Sequence, residues 1–274
     1  MGSSLPSCCV SAFALLALML AGLISAGEAL ALRPFLAATD ADLVAQGSIE
    51  LETGASLRRR VGGEQGRLSF GATNFAFNAG VSDHLQITLT AGPDIFFSDL
   101  QHGPQPGLNV LSEAALTAKV RLVEADGVRP ALATEWTISL PAEAESGSQL
   151  PGVVGIVAAS AKLGPLIFHL NLGGAVEPRQ GESKGVSSAF LWTASGQVPL
   201  TDRVDLVGEV RGRIDQSSLP NHTALMGLVW EASRGIKVDL GAFIGLSRGA
   251  DDWGIVAGLT YELSAFPWGA VGWL

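Results

Sequence analysis

The chain of 274 residues has little positive charge and few charges of either sign. Lys and Arg number 17 against 26 Asp and Glu, which gives a net charge of -9, and charged residues make up only 16% of the chain. Because a protein that binds nucleic acid needs a basic surface, this composition argues against that class. Hydrophobic residues make up 47%, which argues against an intrinsically disordered chain.

Cysteine and long apolar runs are also scarce. The two cysteines, Cys8 and Cys9, precede the one long apolar run, residues 10–27. Residues 29–31 (Ala-Leu-Ala) follow it in the small-x-small pattern of a cleavage site, so we expect a cleaved signal peptide over residues 1–31. The alternative is an uncleaved anchor helix, since about 18 apolar residues can just span a bilayer. Beyond the signal no cysteine remains for a disulfide or a thiolate metal site.

Beyond residue 31 the apolar residues recur at every second position. In residues 253–263 the odd-numbered residues are bulky and apolar, whereas the even-numbered ones are mostly small or polar. In residues 204–215 Val, Leu and Ile face one side, and Arg, Asp and Glu face the other. This alternation is typical of strands with one apolar and one wet face. About twelve segments show it at the ~10-residue length that spans a bilayer. They lie near 47–58, 67–79, 84–95, 111–124, 128–140, 152–163, 165–176, 187–199, 203–215, 222–233, 235–247 and 252–263.

The connections between these segments alternate between short and long, with one short exception near 247–252. A transmembrane barrel has this pattern, with tight periplasmic turns and longer external loops. We therefore predict an all-β fold, an antiparallel up-and-down transmembrane β-barrel of about 12 strands over residues 32–263 in the bacterial outer membrane. Residues 264–274 form a C-terminal tail to which we assign no role. The alternative is a secreted β-sandwich, whose exposed faces would carry more charge than these do.

Several stretches resemble the outer-membrane "MetA-pathway of phenol degradation" family of transporter-like barrels. Residues 33–52 resemble its opening, in which an Arg-Pro and an Asp-rich segment precede a G-x-W/I-E-L-E strand. Residues 81–87 and 200–206 resemble its repeated G-L-T-D-R-L-x-L element, and residues 129–141 resemble its P-A-L-A … L-P-T-G strand. The resemblance implies a barrel for the uptake of small compounds, with hydrophobic or aromatic ones as candidates. It implies no catalytic residues.

Polar residues on the wet faces are candidates for the lumen, because Arg or Lys facing lipid at the bilayer midplane costs about 2–4 kcal/mol. The lumen-facing candidates are Glu50, Glu52, Glu113, Lys119, Arg121, Glu135, His169, Asn171, Arg203, Asp205, Glu209, Arg211, Arg213, Asp215, Lys237 and Asp239. One interpretation is a polar conduit whose charges set selectivity. The other is an interior plugged by ion pairs, since small barrels fill their lumen with side chains.

Two further features bear on function. The longest connection, 94–110, contains Phe96, Phe97 and His102 and is a candidate gating loop, with a mobile surface loop as the alternative. His169 and Asn171 share the polar face of a strand, so a hydrolase centred on His169 deserves consideration. Such a site needs a nucleophile placed beside the histidine, and spacing alone selects neither Ser160 nor Ser195.

We therefore predict an outer-membrane barrel for the passage or binding of small solutes, and not an enzyme. Its expected partners are outer-membrane lipid and a small-molecule solute, without nucleic acid, and the oligomeric state is not predicted. No metal-ligand spacing or phosphate-binding loop occurs in the sequence, so we expect no metal and no cofactor. The alternatives are a structural or surface-interaction barrel without conductance, and a lipid-modifying enzyme.

Overall fold

A computed structural model describes residues 38–263, apart from 61–66, 73–74, 92–93, 99–104, 110–113, 128, 140–150, 179–184 and 217. Fifteen β-strands form within these residues. No helix in this part of the chain is long and apolar enough to cross a membrane. The predicted signal peptide and the tail at 264–274 lie outside the described residues.

The strands alternate with turns along the whole described chain. They are β1 (Ile49–Arg60), β2 (Arg67–Ala72), β3 (Phe75–Ser82), β4 (Leu85–Ala91), β5 (Asp94–Ser98), β6 (Gln105–Asn109), β7 (Ala115–Val123), β8 (Ala131–Ser139), β9 (Gly152–Leu163), β10 (Leu166–Pro178), β11 (Val186–Thr201), β12 (Val204–Asp215), β13 (Asn221–Ser233), β14 (Ile236–Gly245) and β15 (Trp253–Leu263).

Twelve of these strands close into a barrel. Each pairs with its neighbour from β15 back to β7, and then through β4, β3 and β1. β1 pairs in turn with β15, antiparallel, from Ile49 opposite Leu263 to Arg59 opposite Trp253. Closure matters because backbone groups within a membrane have no water to bond and must pair between strands. The predicted antiparallel barrel of about 12 strands is confirmed.

Three strands extend one side of the barrel beyond β3 and β4. The first part of β1, from Ile49 to Glu52, pairs with β3, whereas the part from Ala55 to Arg60 pairs with β2. β2 then pairs with β5, and β5 pairs with β6. The predicted long loop at 94–110 is therefore wrong over 94–98 and 105–109, which form a β-hairpin. The run Ile-Phe-Phe at 95–97 favours a strand, since aromatic and β-branched residues have high strand propensity.

The outward face of the barrel is apolar. Exposed large apolar side chains recur on alternate positions of the strands, among them Phe77, Leu89, Ile138, Val157, Leu170, Leu172, Val210, Met226, Leu228, Leu240, Ile255 and Leu259. In water so large an apolar surface would promote aggregation, whereas in a bilayer it forms the band that contacts lipid. Together with the closed barrel, this band confirms the predicted location in a bacterial outer membrane.

The inward face is mostly polar, so the usual arrangement of core and surface is inverted. Buried polar side chains lie on the other set of alternate positions, among them Glu50, Asn78, Lys119, His169, Thr193, Ser195, Glu209, Thr223, Asp239 and Thr260. The turns at 83–84, 164–165, 202–203 and 234–235 are two residues long and all lie at one end of the barrel. Short turns mark the periplasmic end of such barrels. β1 begins at that end.

Candidate functional site

The chain that precedes β1 runs inside the barrel. We call residues 38–48 the lumen segment. It enters at the periplasmic end, where Gly47 N–H donates to the Gly80 carbonyl at 2.8 Å. Its far part is sealed from solvent, because Ala38, Thr39 and Ala41 are 3%, 1% and 0% exposed. The lumen segment therefore occupies the periplasmic half of the lumen.

Wall side chains satisfy the backbone of the lumen segment. Four of its N–H groups each donate to a side-chain oxygen on a different strand. These bonds run from Ala38 to Glu209 Oε2 (2.8 Å), Thr39 to Asn171 Oδ1 (2.7 Å), Ala41 to Ser160 Oγ (2.7 Å) and Val44 to Gln86 Oε1 (2.9 Å). Buried backbone donors require partners, and these side chains supply them without a pairing strand.

The Asn171 side chain contacts the lumen segment through both of its amide atoms. Its Oδ1 accepts from Thr39 N at 2.7 Å, and its Nδ2 donates to the Thr39 carbonyl at 2.7 Å. This pair of bonds places Thr39 relative to β10. The Thr39 hydroxyl adds a bond to Glu135 Oε2 at 3.0 Å, so β8 and β10, which both pair with β9, hold one residue.

A buried ion pair joins the lumen segment to β7. Lys119 Nζ lies 2.7 Å from Asp40 Oδ1, and the two side chains are only 3% and 10% exposed. Burial of a charge is costly unless the charge is paired and hydrogen-bonded. Lys119 and Asp40 therefore depend on each other, and loss of either would leave the other charged and buried.

A row of polar residues crosses the wall beneath the lumen segment. His169 lies opposite Ser160 on one side and opposite Ser195 on the other, and Ser195 lies opposite Glu209. His169 Nδ1 and Ser160 Oγ are 2.8 Å apart. Ser160 Oγ also accepts from Ala41 N–H, so the lumen segment covers this serine. A Ser-His pair is present, but here the serine holds the backbone of the lumen segment.

The entry of the lumen segment depends on a glycine. A Cβ at Gly80 would collide with the carbonyl oxygens of Val44 and Ala45. Gly80 N–H also donates to the Ser48 carbonyl at 3.0 Å. A glycine lets the segment pass directly against β3, and a side chain would force it away.

Acidic residues line the periplasmic part of the lumen beside the lumen segment. Glu50 lies opposite Glu262 on the closing pair of β1 and β15, and Asp239 projects from β14. All three are buried. Lys237 lies two positions before Asp239 on the same face of β14 and is the nearest cation along that strand. No group of three or more His, Cys, Asp or Glu in the described part of the chain is arranged to hold a metal ion.

The inner wall also has an apolar part. Val207, Leu225, Val229 and Phe243 form a buried apolar cluster on β12 to β14, with Val256 packed against it. Beyond it, Arg213 is held by two carboxylates: its Nη2 lies 2.6 Å from Glu177 Oε2, and its Nε donates to Asp215 Oδ1 at 3.0 Å. The apolar cluster begins at the level of the acidic residues, since Val229 lies opposite Asp239, and the Arg213 group lies nearer the extracellular end.

Most of the predicted lumen residues lie on the inner face. Those that contact the lumen segment or the network beneath it are Lys119, Glu135, His169, Asn171 and Glu209. The others placed on the inner face of the strands are Glu50, Glu52, Arg121, Asp205, Arg211, Arg213, Asp215, Lys237 and Asp239. Among these, Arg121 pairs with Glu124 at 3.4 Å, and Asp205 accepts from Gln197 at 2.7 Å.

Other predicted positions differ. Arg203 is exposed in the turn between β11 and β12, because the chain reverses at 202–203 before the strand begins. It lies at the periplasmic mouth and not on the lumen wall. Phe96 and Phe97 lie on β5, where they pair with Gly71 and Phe70 of β2. Glu113 and His102 lie outside the described residues.

The sequence prediction omitted the lumen segment and part of the neutral polar wall. Asp40 and Asp42 belong to the Asp-rich segment of the family resemblance and were not lumen candidates. Thr39 was not a candidate either. Asn78 and Gln86 face the lumen beside Glu50, and Asn78 Oδ1 accepts from Thr88 Oγ1 at 2.6 Å. Period-two alternation could have identified the wall residues, because each shares its face with a charged candidate.

No family model and no curated protein matches this sequence. Solved structures do match it over most of its length. The COG4313 outer membrane channel from Pseudomonas putida F1 has a TM-score of 0.62 at 11% identity, over 85% of this chain and 100% of that chain. The NanC porin has a TM-score of 0.53 at 7% identity, over 78% and 100%. The translocator domain of the autotransporter NalP from Neisseria meningitidis has a TM-score of 0.50 at 12% identity, over 78% and 87%.

The fold is that of bacterial outer-membrane β-barrels. At these identities the likeness concerns the fold alone. A channel, a porin and a translocator domain share it, so the fold does not specify one activity. The resemblance to the MetA-pathway family stays a prediction.

Proposed function

We propose that this protein is an outer-membrane channel for small solutes and that the lumen segment closes its periplasmic half. The observation that carries the proposal is the way the lumen segment is held. From Ala38 to Val44 its backbone N–H groups bond to wall side chains, those of Glu209, Asn171, Ser160 and Gln86. It bonds to the backbone of a strand at its entry, where Gly47 and Ser48 contact Gly80 of β3. Water can replace such bonds when the segment leaves, since folding and hydration exchange one hydrogen bond for another.

The alternative is a structural barrel whose lumen segment is a permanent part of the core. The residues that are buried deepest favour a removable segment. Ala38 and Ala41 are small, so they bury little apolar surface, and burial is worth roughly 25 cal/mol per Å². Most of the attachment is therefore polar, through Thr39 and Asp40. The lumen wall is already polar and would remain solvated without the segment.

The ion pair between Lys119 and Asp40 provides the test. The purified full chain is reconstituted into planar bilayers, and the open probability and conductance are compared with those of Lys119→Met. Removing one partner of a buried ion pair destabilises the structure that buries it by about 3–5 kcal/mol, because the other charge stays buried without a partner. We expect Lys119→Met to release the lumen segment and to be open most of the time. The double variant Asp40→Asn with Lys119→Met removes both charges and should return the channel toward the closed state.

Lys162 supplies the matched control. It is an exposed lysine on β9, beside the periplasmic turn at 164–165. Lys162→Met removes the same charge without affecting the lumen segment, so its open probability should equal that of the natural chain. If the natural chain and Lys119→Met both fold, as shown by heat-modifiable migration on gels, and neither conducts, the barrel is not a channel. Equal open probability in both would mean that the lumen segment does not close it.

The class of solute is a finer proposal. The resemblance to the MetA-pathway family supports the uptake of small compounds, hydrophobic or aromatic ones among them. The apolar cluster on β12 to β14 is consistent with this, because it places Phe243 and Leu225 on the inner wall of the barrel. Flux of labelled solutes into liposomes containing the open Lys119→Met variant would rank the candidates.

A further inference from the structure

A cavity lies in the extracellular half of the lumen, above the apolar cluster. Its volume is about 210 Å³. The inner faces of β1 and of β12 to β15 surround it. Among the residues that line it are Ser56, Arg58, Arg211, Thr223, Phe243 and Val256. This volume is below the roughly 300–1,000 Å³ of sites for drug-sized ligands, so the ligand would be small.

Two guanidinium groups face this cavity, and neutral hydroxyls orient both of them. Arg58 Nε donates to Ser56 Oγ at 3.0 Å, and Arg211 Nε donates to Thr223 Oγ1 at 2.9 Å. Each bond uses the Nε–H and not the terminal NH₂ groups. A guanidinium group oriented in this way can bind a carboxylate through two parallel bonds.

Two carboxylates lie near these arginines, and each has a further partner. Arg211 forms an ion pair with Glu209, with Nη1 3.8 Å from Oε1, and Glu209 Oε2 accepts from Ala38 N–H of the lumen segment. Asp251 also lines the cavity and lies 3.8 Å from Arg60 Nε. No ion-pair partner of Arg58 lies among the described residues. The cavity therefore has an excess of positive charge at its polar side.

The opposite side of the cavity is apolar. Phe243, a member of the apolar cluster, and Val256, which packs against that cluster, line it. Gly254 lies opposite Phe243 on β15, and a Cβ there would collide with the aromatic ring. The absence of a side chain at Gly254 lets the ring lie against the wall, where it leaves the cavity open.

We propose that this cavity binds a small organic carboxylate with a one-ring apolar body. The carboxylate lies between Arg58 and Arg211, and the apolar body rests on Phe243 and Val256. The inference deepens the proposed function, because it assigns a solute class to the lumen of a channel. Binding itself requires only the folded barrel, so it can be measured whether or not the channel conducts.

Benzoate is a suitable probe, and three comparison compounds separate its parts. Titration calorimetry on the full chain in detergent measures binding of benzoate, benzyl alcohol, benzylamine and acetate. Benzyl alcohol keeps the ring without the anion, benzylamine reverses the charge, and acetate keeps the anion without the ring. We expect benzoate to bind at least tenfold more tightly than each of the other three.

Single substitutions assign the binding to this cavity. Arg58→Gln and Arg211→Gln should each weaken benzoate binding about tenfold or more, since a hydrogen bond to a charged group is worth at least that factor. Arg59→Gln is the matched control, because Arg59 is the next residue on β1 and faces the opposite side of the wall. It should leave the affinity unchanged. Phe243→Leu should weaken benzoate binding and leave acetate binding unchanged.

Two results would overturn the proposal. One is equal affinity for benzoate and benzyl alcohol, which would show that the arginines do not select an anion. The other is equal affinity of the Arg58→Gln and Arg59→Gln variants for benzoate, which would place binding elsewhere. Benzoate binding without conductance would retain this site and reject the channel. Conductance without benzoate binding would retain the channel and reject this site.

Discussion

The replacement Asn171→Ala is expected to shift the lumen segment out of the barrel. The Asn171 amide accepts from the Thr39 N–H and donates to the Thr39 carbonyl, both at 2.7 Å. Alanine removes both bonds and adds no steric obstacle. With the segment withdrawn, the N–H and carbonyl of Thr39 bond to water, so the substitution acts on the equilibrium between inserted and withdrawn states.

The size of the shift follows from the number of bonds. A hydrogen bond contributes about 0.5–1.5 kcal/mol net once hydration is included, so two bonds contribute about 2 kcal/mol. At about 1.4 kcal/mol per tenfold change, the withdrawn fraction should rise about 30-fold. The bonds of Ala38, Ala41 and Val44 remain in place, so the segment is still inserted most of the time.

A single cysteine reports the withdrawn fraction. The only natural cysteines are Cys8 and Cys9, which can be replaced by Ser so that Thr39→Cys supplies the only thiol. Thr39 is buried in the inserted state, so a thiol there reacts with a water-soluble reagent only during withdrawal. The labelling rate of this variant should rise about 30-fold when Asn171→Ala is added, in step with the withdrawn fraction.

Thr193→Ala is the matched control. Thr193 lies opposite Asn171 on β11, is buried in the same lumen, and makes no hydrogen bond to the lumen segment. Its replacement removes a neighbouring polar group but should not change the labelling rate. If the two variants label equally fast, the bonds from Asn171 do not hold the segment and the reasoning is refuted.

Two further substitutions test the entry glycine and the lipid face. Gly80→Ala should raise the rate of cysteine labelling at position 39, because the added Cβ collides with Val44 and Ala45. Gly208→Ala is the control, since a Cβ there would meet nothing closer than 3.9 Å, and it should leave that rate unchanged. Leu240→Arg places a charge on the outward face and should lower the free energy of unfolding in urea-treated liposomes by about 2–4 kcal/mol. Leu219→Arg, in the connection between β12 and β13, should change the free energy of unfolding by less than about 0.5 kcal/mol. If the two variants lost the same free energy of unfolding, the assigned lipid band would be wrong.

The sequence predicted the barrel because alternation is a local property. The sequence of each strand indicates which of its faces meets lipid, as the outward Leu240 and the inward Asp239 of β14 do. What it did not predict is where strands break. Residues 67–79 read as one strand but form β2 and β3, which pair with different parts of β1 and with different further partners. Local alternation is the same in either arrangement.

Part of the candidate site was predictable in the same way. The charged wall residues Lys119 and Glu209 follow from their positions on wet faces. Their partners do not, because Asp40 lies 79 positions from Lys119 and Ala38 lies 171 positions from Glu209. The lumen segment itself has no periodicity. It carries only ordinary residues whose role depends on what surrounds them.

The sequence by itself thus determined an outer-membrane barrel, since apolar and polar residues at every second position leave a strand one lipid face and one wet face. Tertiary structure alone decided what fills the wet side. Closure of β1 on β15 creates a lumen, into which the chain before β1 inserts. The same closure brings Arg58 of the first barrel strand to the same cavity as Arg211 of β12. Such meetings depend on the order and register of whole strands, which no single stretch of sequence contains.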